Sequence, residues 1–322
     1  MTEKIKKAKD EKQETQEVKQ EAIIKILKDG ALLKQIVLVE KIHQAILKMM
    51  KDVSFNKKEH IYTRTADGSW LQGVSIVASI IPKEWLSAWG AKEAVKALGY
   101  SDYEGDTKKA EEMLKQIRDC KTAEEYQAIL EEAKGASRRK NKEALVDGTA
   151  GHKWLEEYVK AKIKGTELPK IPEGTLERPL KQFVEWEEAN VRYWILSEAR
   201  VAYPEKGYAG TLDGLAMMKT GRLSLADFKF SNHMSEDYLL QTAGYQSCFE
   251  PYDIEIKDRI IIRLPKTLMI DEWDKKTRTY SKVENKIEVK IVDTDYEMDR
   301  DVFLACLPVK KWVNLMQIKG QK

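Results

Sequence analysis

The chain has few cysteines and no long apolar run, which argues against a disulfide-rich protein and against a membrane-spanning one. Its three cysteines, Cys120, Cys248 and Cys306, lie far apart in the sequence. They fit neither a disulfide framework nor a zinc or iron–sulfur site, and they favour a reducing compartment. No apolar stretch approaches the roughly 20 residues that span a membrane, and residues 1–21 lack the apolar segment of a secretory signal. We therefore expect a cytoplasmic protein with no membrane contact.

An excess of charge of one sign is also lacking, since 56 Lys and Arg against 53 Asp and Glu leave a net charge of +3. Such a balance neither requires nor excludes a nucleic-acid partner, because binding depends on where basic groups cluster. One cluster lies in KGASRRKNKEA, residues 134–144. A run of this kind is usually a solvated face. The functional alternative is contact with DNA phosphates through Arg138, Arg139 and Lys140.

What is present is a globular composition, 42% hydrophobic and 34% charged, long enough for one large domain or two modest ones. We predict three parts: a helical extension over residues 1–55, a mostly helical front part over 56–144, and a core over 145–322. In the extension, apolar residues recur at helical spacing from Ala22 to about Met50. This segment either packs on the main body or binds a protein partner or a second copy of the chain.

The apolar period changes from that of a helix to that of a strand near residue 196. A helix is predicted from Leu180 to about Leu196. Strands are then predicted in SEARVAYP, GYAGTLDGLAMM and RLSLADFKF, the last two joined by a hairpin at residues 219–221. Further along come a helix over 235–249, a strand over 258–264, a polar hairpin over 268–293 and a final helix from Tyr296. This order predicts an α/β or α+β core with helices flanking a central mixed sheet.

Two charged residues stand on the apolar face of one predicted strand. In RLSLADFKF, Asp227 and Lys229 share a face with Leu223 and Leu225. Burying such a pair is costly unless the two charges meet each other or an ion. Asp213 lies in the preceding strand, close enough across the hairpin for its carboxylate to meet that of Asp227. Two converging carboxylates repel each other, and a hard divalent cation with oxygen ligands relieves the repulsion.

The Asp-x-Lys pattern alone is common in a chain this charged. Glu17 and Lys19, or Glu132 and Lys134, match the same spacing without any functional context. The match at residues 227–229 gains meaning from its apolar strand, from the hairpin strand before it and from the helix after it. A lysine beside a cation site can orient a metal-bound water or stabilise charge on a phosphate. The structural alternative is an ion-pair cluster.

Four sequence elements together resemble the RecB-type nucleases of the PD-(D/E)XK superfamily. They are Gly148-Thr-Ala-Gly-His152, Gly210-Thr-Leu-Asp213, Asp227-Phe-Lys229 and Gln241-Thr-Ala-Gly-Tyr245. All four occur in the order of that family, each on the predicted type of element, and the resemblance covers about residues 145–265. It implies a restriction-endonuclease-like core and metal-dependent hydrolysis of phosphodiester bonds in DNA.

The resemblance also implies a role for each matching residue. One or two Mg²⁺ or Mn²⁺ ions would be bound by His152, Asp213, Asp227 and the backbone carbonyl of Phe228, with Glu198 a further candidate ligand. Lys229 would position or activate the attacking water. Gln241 and Tyr245, one helical turn apart, would line the site and contact DNA or hold the lysine. The cysteine quartet that binds an iron–sulfur cluster in some members is missing, so no such cluster is expected.

By analogy with stand-alone members of this family, we expect an exonuclease. It would act on DNA ends or single strands in recombination, repair or phage DNA processing. Two alternatives stay open. One is a structure-specific or restriction-like endonuclease, and the other is a non-catalytic DNA-binding or assembly module with the same fold.

Overall fold

A mixed α/β structure surrounds one eight-stranded sheet in the computed structural model, which describes residues 30–320 apart from 84, 104, 275 and 278. The N-terminal part contains α1 (Gly30–Asp52), β1 (Val53–Asn56), β2 (Ile61–Arg64), β3 (Trp70–Gly73) and α2 (Val74–Ala78). A helical layer follows, made of α3 (Trp85–Ala97), α4 (Lys108–Asp119), α5 (Ala123–Lys134), α6 (Ala136–Lys164) and α7 (Glu177–Asn190).

The remaining elements build the centre of the sheet and its C-terminal cover. They are β4 (Val191–Tyr203), β5 (Tyr208–Met218), β6 (Leu223–Phe230), α8 (Asp237–Ser247), a 3-10 helix (Glu250–Tyr252), β7 (Asp258–Leu264), β8 (Met269–Asp274), β9 (Thr279–Glu284), β10 (Glu288–Ile291) and α9 (Tyr296–Gly320). The predicted central mixed sheet with flanking helices is confirmed.

The strand order is β1-β2-β3-β5-β6-β7-β10, and β4 pairs along the other edge of β5. The first edge of β5 is therefore shared by two partners. Tyr208 and Ala209 pair in parallel with β3, whereas residues 214–217 pair antiparallel with β6. β6 then pairs in parallel with β7 along its full length. Residues 210–213 thus lie between the part of β5 that pairs with β3 and the part that pairs with β6. The candidate site forms at this position.

Alternating residues of β6 point into two hydrophobic layers. Leu223 and Leu225 pack in a cluster that includes residues of α1, α2, α8 and α9. Ala226, Phe228 and Phe230 pack on the opposite face with α6 and α7. The predicted alternation of β6 is confirmed, because a strand buried on both faces keeps its period of two. Asp227 and Lys229 consequently belong to the face covered by α8.

The predicted helix from Leu180 to about Leu196 is wrong at its C-terminal end. The helix ends at Asn190, and β4 begins at Val191. The start of β4 contains register shifts between Val191 and Tyr193 and between Trp194 and Leu196. Such bulges interrupt the two-residue period, so the apolar spacing of this segment resembled that of a helix. The hairpin at residues 219–221, the strand over 258–264 and the final helix from Tyr296 are confirmed.

α1 packs on the sheet through Ile42, Ala45 and Met49, which are buried in the same core as β4 and β5. Residues 1–29 lie outside the described part of the chain, so a partner bound through them stays a prediction. The predicted boundary at residue 144 falls within the continuous helix α6, and the three-part division stays a prediction. Among residues 30–320 as described, no helix is both long and apolar enough to cross a membrane.

Candidate metal centre

Two carboxylates meet where β5 and β6 separate. Gly214 and Ala226 are the last residues paired between these strands, and the next positions are Asp213 and Asp227. The backbone N–H of Phe228 donates a hydrogen bond of 2.6 Å to Oδ2 of Asp213. The side chain of Asp213 therefore satisfies a backbone group at the point where the strand ladder ends.

β4 places a third carboxylate opposite Asp213. The flanking pairs are Ser197 with Gly214 and Ala199 with Leu212, so Glu198 lies directly across from Asp213. Glu198 has a backbone φ of +47°. This left-handed conformation is uncommon for a residue with a side chain, and such strain is concentrated at functional positions.

A glycine lets α6 bring His152 against the same end of the sheet. A Cβ added to Gly151 would lie 2.2 Å from Cζ of Phe230, so the ring or the helix would have to move. The helix therefore packs directly on the aromatic ring of β6. One residue later, the imidazole of His152 lies edge-on to Phe230 with 5.3 Å between ring centroids.

His152, Glu198 and Asp213 together form a candidate cation site. One ligand atom from each residue lies within 4.8 Å of the others, and all three side chains are half-buried. Carboxylate oxygens suit Mg²⁺ and Mn²⁺, whereas imidazole nitrogen suits transition metals. Mn²⁺ is compatible with both kinds of donor. These three residues could therefore hold a divalent cation.

Asp227 faces a different set of partners. Its Oδ2 lies 2.7 Å from Nζ of Lys229, and the exposed fractions of the two side chains are 1% and 15%. The amide of Gln241 connects the pair: its oxygen accepts from Lys229 at 3.1 Å, and its nitrogen donates to Oδ1 of Asp227 at 3.2 Å. The same nitrogen lies 3.2 Å from the hydroxyl of Tyr245. α8 thereby fixes both members of the ion pair.

The ring of Tyr245 is placed by another glycine. A Cβ on Gly210 would lie 2.6 Å from Cε1 of Tyr245, so the ring packs against the bare backbone of β5. This contact falls in the interval between β3 and β6. Tyr238, in the first turn of α8, contacts Lys229 through its aromatic ring. The Nζ of Lys229 lies 4.9 Å from the ring centroid.

The electrostatics of the site are those expected where carboxylates share a small volume. Burial, with the neighbouring charges of Asp213 and Glu156, raises the pKa of Glu198 to about 8. Burial raises the pKa of Asp227 to about 6, although the Lys229 ammonium acts against this shift. Burial also raises the pKa of Asp213.

Two basic groups complete this electrostatic balance. Burial and the Lys229 ammonium lower the pKa of His152 to about 4, which leaves its nitrogens available to a metal at neutral pH. Burial opposes the charged form of Lys229, but the carboxylates of Asp227 and Asp213 outweigh it and raise the pKa of this lysine. Lys229 is therefore cationic.

A cleft of about 490 Å³ opens onto the site. α6 forms one wall with Gly148, His152 and Glu156, and the opposite wall includes Lys229, Tyr238 and Lys266. Glu156, Tyr238 and Lys266 were not predicted from the sequence as site residues. Glu156 follows His152 by four residues, and helical periodicity could have found it. Nothing in the sequence pattern marks Tyr238 or Lys266.

The structure therefore brings the predicted side chains of the site together, in two adjoining groups. A metal role for Asp227 or for the carbonyl of Phe228 stays a prediction. Arg138, Arg139 and Lys140 are exposed on the first turns of α6, more than three helical turns before His152. Arg139 donates to the carbonyl of Glu132 at 2.7 Å, and Lys140 pairs with Glu93. Both also line a separate cavity of about 660 Å³ in the helical layer. Their contact with DNA stays a prediction.

Comparison with known proteins adds little. No family model matches the chain, and no curated protein sequence matches it. Among solved structures, the chain is similar to the crystal structure of LHK-Exo in complex with dAMP. The sequence identity is 14% and the TM-score is 0.23, over 52% of this chain and 85% of that chain. A superposition this loose assigns neither a family nor an activity.

Proposed function

We propose that the chain is a metal-dependent deoxyribonuclease of the RecB type within the PD-(D/E)XK superfamily. One observation carries the proposal: the ligand atoms of His152, Glu198 and Asp213 lie within 4.8 Å of one another, beside the buried pair of Asp227 and Lys229. The four sequence elements that resemble this family thus supply neighbouring side chains. An ion-pair cluster alone would not account for the imidazole and the two further carboxylates.

The residues fit a divalent cation. Three half-buried donors are grouped, and two of them are acids whose pKa values are raised by burial; the charge of Asp213 raises the pKa of Glu198 further. A cation would relieve this repulsion. Mg²⁺ or Mn²⁺ bound there would polarise a phosphodiester and promote ionisation of a water. The first ligands would be His152, Glu198 and Asp213, with Asp227 next to them.

Lys229 provides a fixed positive charge beside the reaction volume. Its ammonium is held by Asp227 and by the amide of Gln241, so it needs no reorganisation when negative charge develops on the phosphate. Preorganised charges of this kind contribute a large share of many enzymatic accelerations. The hydrogen bond from Gln241 to Asp227 fixes the carboxylate as well, and Tyr245 fixes the amide.

Within this activity we propose an exonuclease that acts on DNA ends or single strands in recombination, repair or phage DNA processing. This finer proposal is supported by the resemblance to stand-alone family members. DNA would be held through its phosphates, with Arg138, Arg139 and Lys140 as candidate contacts. Binding should then weaken steeply as salt rises.

The test incubates purified protein with Mn²⁺ or Mg²⁺ and a matched pair of DNA substrates, one linear and one covalently closed. We expect linear DNA to be degraded and closed circles to persist, with degradation abolished by EDTA. Lys229→Ala should lower the rate by roughly 10²- to 10³-fold, whereas the exposed Lys181→Ala on α7 should leave it unchanged. Cutting of closed circles would establish an endonuclease. Equal rates for wild type and Lys229→Ala would reject this catalytic site.

A further inference from the structure

Three lysines line the cleft, and their surroundings assign them different tasks. Lys229 is bound to Asp227 and Gln241 at the base of the site. Lys153 on α6 is exposed, and its Nζ lies 3.9 Å from Oε1 of Glu157. Lys266 is half-buried and lies in the wall opposite α6, two residues after the end of β7. The metal centre makes no use of this third lysine.

The backbone that carries Lys266 is held firmly. The N–H groups of Lys266 and Thr267 donate to Oδ1 of Asn232 at 3.2 and 3.3 Å. The same oxygen accepts from Nδ2 of Asn285 at 3.2 Å. One amide oxygen therefore ties the turn after β7 to the turn after β6 and to the C-terminal hairpin. A side chain on a turn braced in this way has a defined position beside the site.

Gly148, which lines the cleft, receives this side chain. A Cβ on Gly148 would lie 3.6 Å from Nζ of Lys266 and 3.9 Å from its Cε. The ammonium therefore reaches across the cleft to bare helix backbone. Gly148 precedes His152 by four residues, so both stand on one face of α6 about 6 Å apart along the helix axis. The positive charge of Lys266 is also one of the causes that lower the pKa of His152.

We infer that Lys266 binds a phosphate group of the substrate strand next to the one that is cleaved. The inference rests on the proposed nuclease function. With the scissile phosphate at the candidate metal site, the ammonium of Lys266, which stands beside Gly148 about one helical turn from His152, is placed to meet an adjacent phosphate of the same strand. Lysine binds phosphate as a compact point charge with several donors. Lys266 is thus a substrate-binding residue, whereas Lys229 acts at the scissile phosphate.

The test measures DNA binding, not cleavage, with the full chain and Ca²⁺ in place of Mn²⁺. A fluorescent single-stranded oligonucleotide is titrated with wild type, Lys266→Gln and Lys164→Gln. Lys164 is the exposed last residue of α6, three turns beyond His152. Lys164→Gln therefore controls for the loss of one positive charge. We expect Lys266→Gln to weaken binding about tenfold and to lower the slope of log K against log salt by about 0.7. Lys164→Gln should bind like the wild type, and Lys266→Arg should retain most of the affinity.

A second measurement locates the phosphate. A series of oligonucleotides carries one neutral methylphosphonate at successive positions, with and without a terminal phosphate. Wild type should lose affinity at one position near the cleaved bond, and Lys266→Gln should lose that position-specific sensitivity, as expected for two directly interacting groups. If only terminally phosphorylated strands show the effect, the bound group is the terminal phosphate. If unmodified internal linkages show it, the bound group is an internal phosphodiester.

The outcomes separate this inference from the proposed function. If wild type degrades DNA with Mn²⁺ but Lys266→Gln binds every oligonucleotide as tightly as wild type does, the inference about Lys266 is overturned. The proposed nuclease function then still stands. If wild type neither binds nor degrades DNA with any of these ions, the proposed function fails and the inference falls with it. An unchanged urea midpoint for Lys266→Gln shows that weaker binding is not due to misfolding.

Discussion

Glu198 on β4 stands opposite Asp213 on β5, and it does so with a backbone φ of +47°. An ordinary strand residue would not need this conformation. It costs of order 1–3 kcal/mol, and burial of the carboxylate with a pKa raised to about 8 adds a further cost at neutral pH. Both costs fall on a residue that contributes a candidate ligand, so stability and metal binding are opposed at this position.

Glu198→Gly should raise the free energy of unfolding in EDTA by about 1 kcal/mol, since glycine adopts positive φ without strain. The same variant should gain much less stability from added Mn²⁺ than the wild type, because a ligand is lost. Urea unfolding with and without Mn²⁺ measures both effects. Glu198→Gln, which keeps the strain, is the matched control; a less stable Glu198→Gly protein in EDTA contradicts the argument.

The contact between Gly151 and Phe230 sets the distance of α6 from the sheet. Gly151→Ala should destabilise the fold by about 1–3 kcal/mol, since the added Cβ overlaps the ring. It should also weaken Mn²⁺ binding, because His152 follows directly. Replacing the ring by a smaller side chain in the double variant Gly151→Ala/Phe230→Leu should restore part of the lost stability and part of the lost Mn²⁺ affinity. Calorimetric titration with Mn²⁺ and urea unfolding of the four proteins in this cycle give the coupling; additive effects would show that the contact is not limiting.

Gln241 holds Asp227 and Lys229 through one amide. Gln241→Leu keeps a similar volume but removes both hydrogen bonds, so we expect a rate of DNA degradation lower by about 10- to 100-fold. Tyr245→Phe removes only the hydroxyl at the far side of the amide and should change the rate by less than about tenfold. Single-turnover rates at saturating DNA measure the two variants. Equal rates for Gln241→Leu and the wild type would remove this residue from the site.

A buried ion pair between β7 and α9 offers a test of stability alone. Nη2 of Arg259 on β7 lies 2.7 Å from Oδ2 of Asp299 on α9, and the side chains are 3% and 7% exposed. Asp299→Ala should cost about 3–5 kcal/mol, because it leaves a buried guanidinium without its anion. Mn²⁺ affinity measured well below the unfolding transition should stay unchanged.

The control for this prediction is Asp301, which pairs with Arg300 at 3.0 Å while two-thirds exposed. Asp301→Ala should change stability by less than about 1 kcal/mol. Comparable losses for Asp299→Ala and Asp301→Ala in urea unfolding would show that burial does not strengthen the inner pair.

The positions of Asp213, Asp227 and Lys229 could be predicted from the sequence because β6 keeps a strict period of two. Asp227 and Lys229 could be assigned to one face from that alternation, and the short hairpin placed Asp213 nearby. The start of β4 could not be predicted from the sequence, since its bulges disturb the two-residue pattern. The opposition of Glu198 and Asp213 depends on that register, so Glu198 entered only as a candidate. Lys266 depends on a turn braced by Asn232, a tertiary contact with no local signal.

The shared edge of β5 has a consequence for shortened forms of the chain. β3 covers the start of this edge by pairing with Tyr208 and Ala209, although it comes from a remote part of the sequence. A form that begins after Gly73 would leave these residues as an unprotected strand edge, with backbone donors and acceptors open to other chains. Uncovered edges promote association between molecules. Such a truncated form should therefore aggregate even if every residue of the candidate metal site is retained.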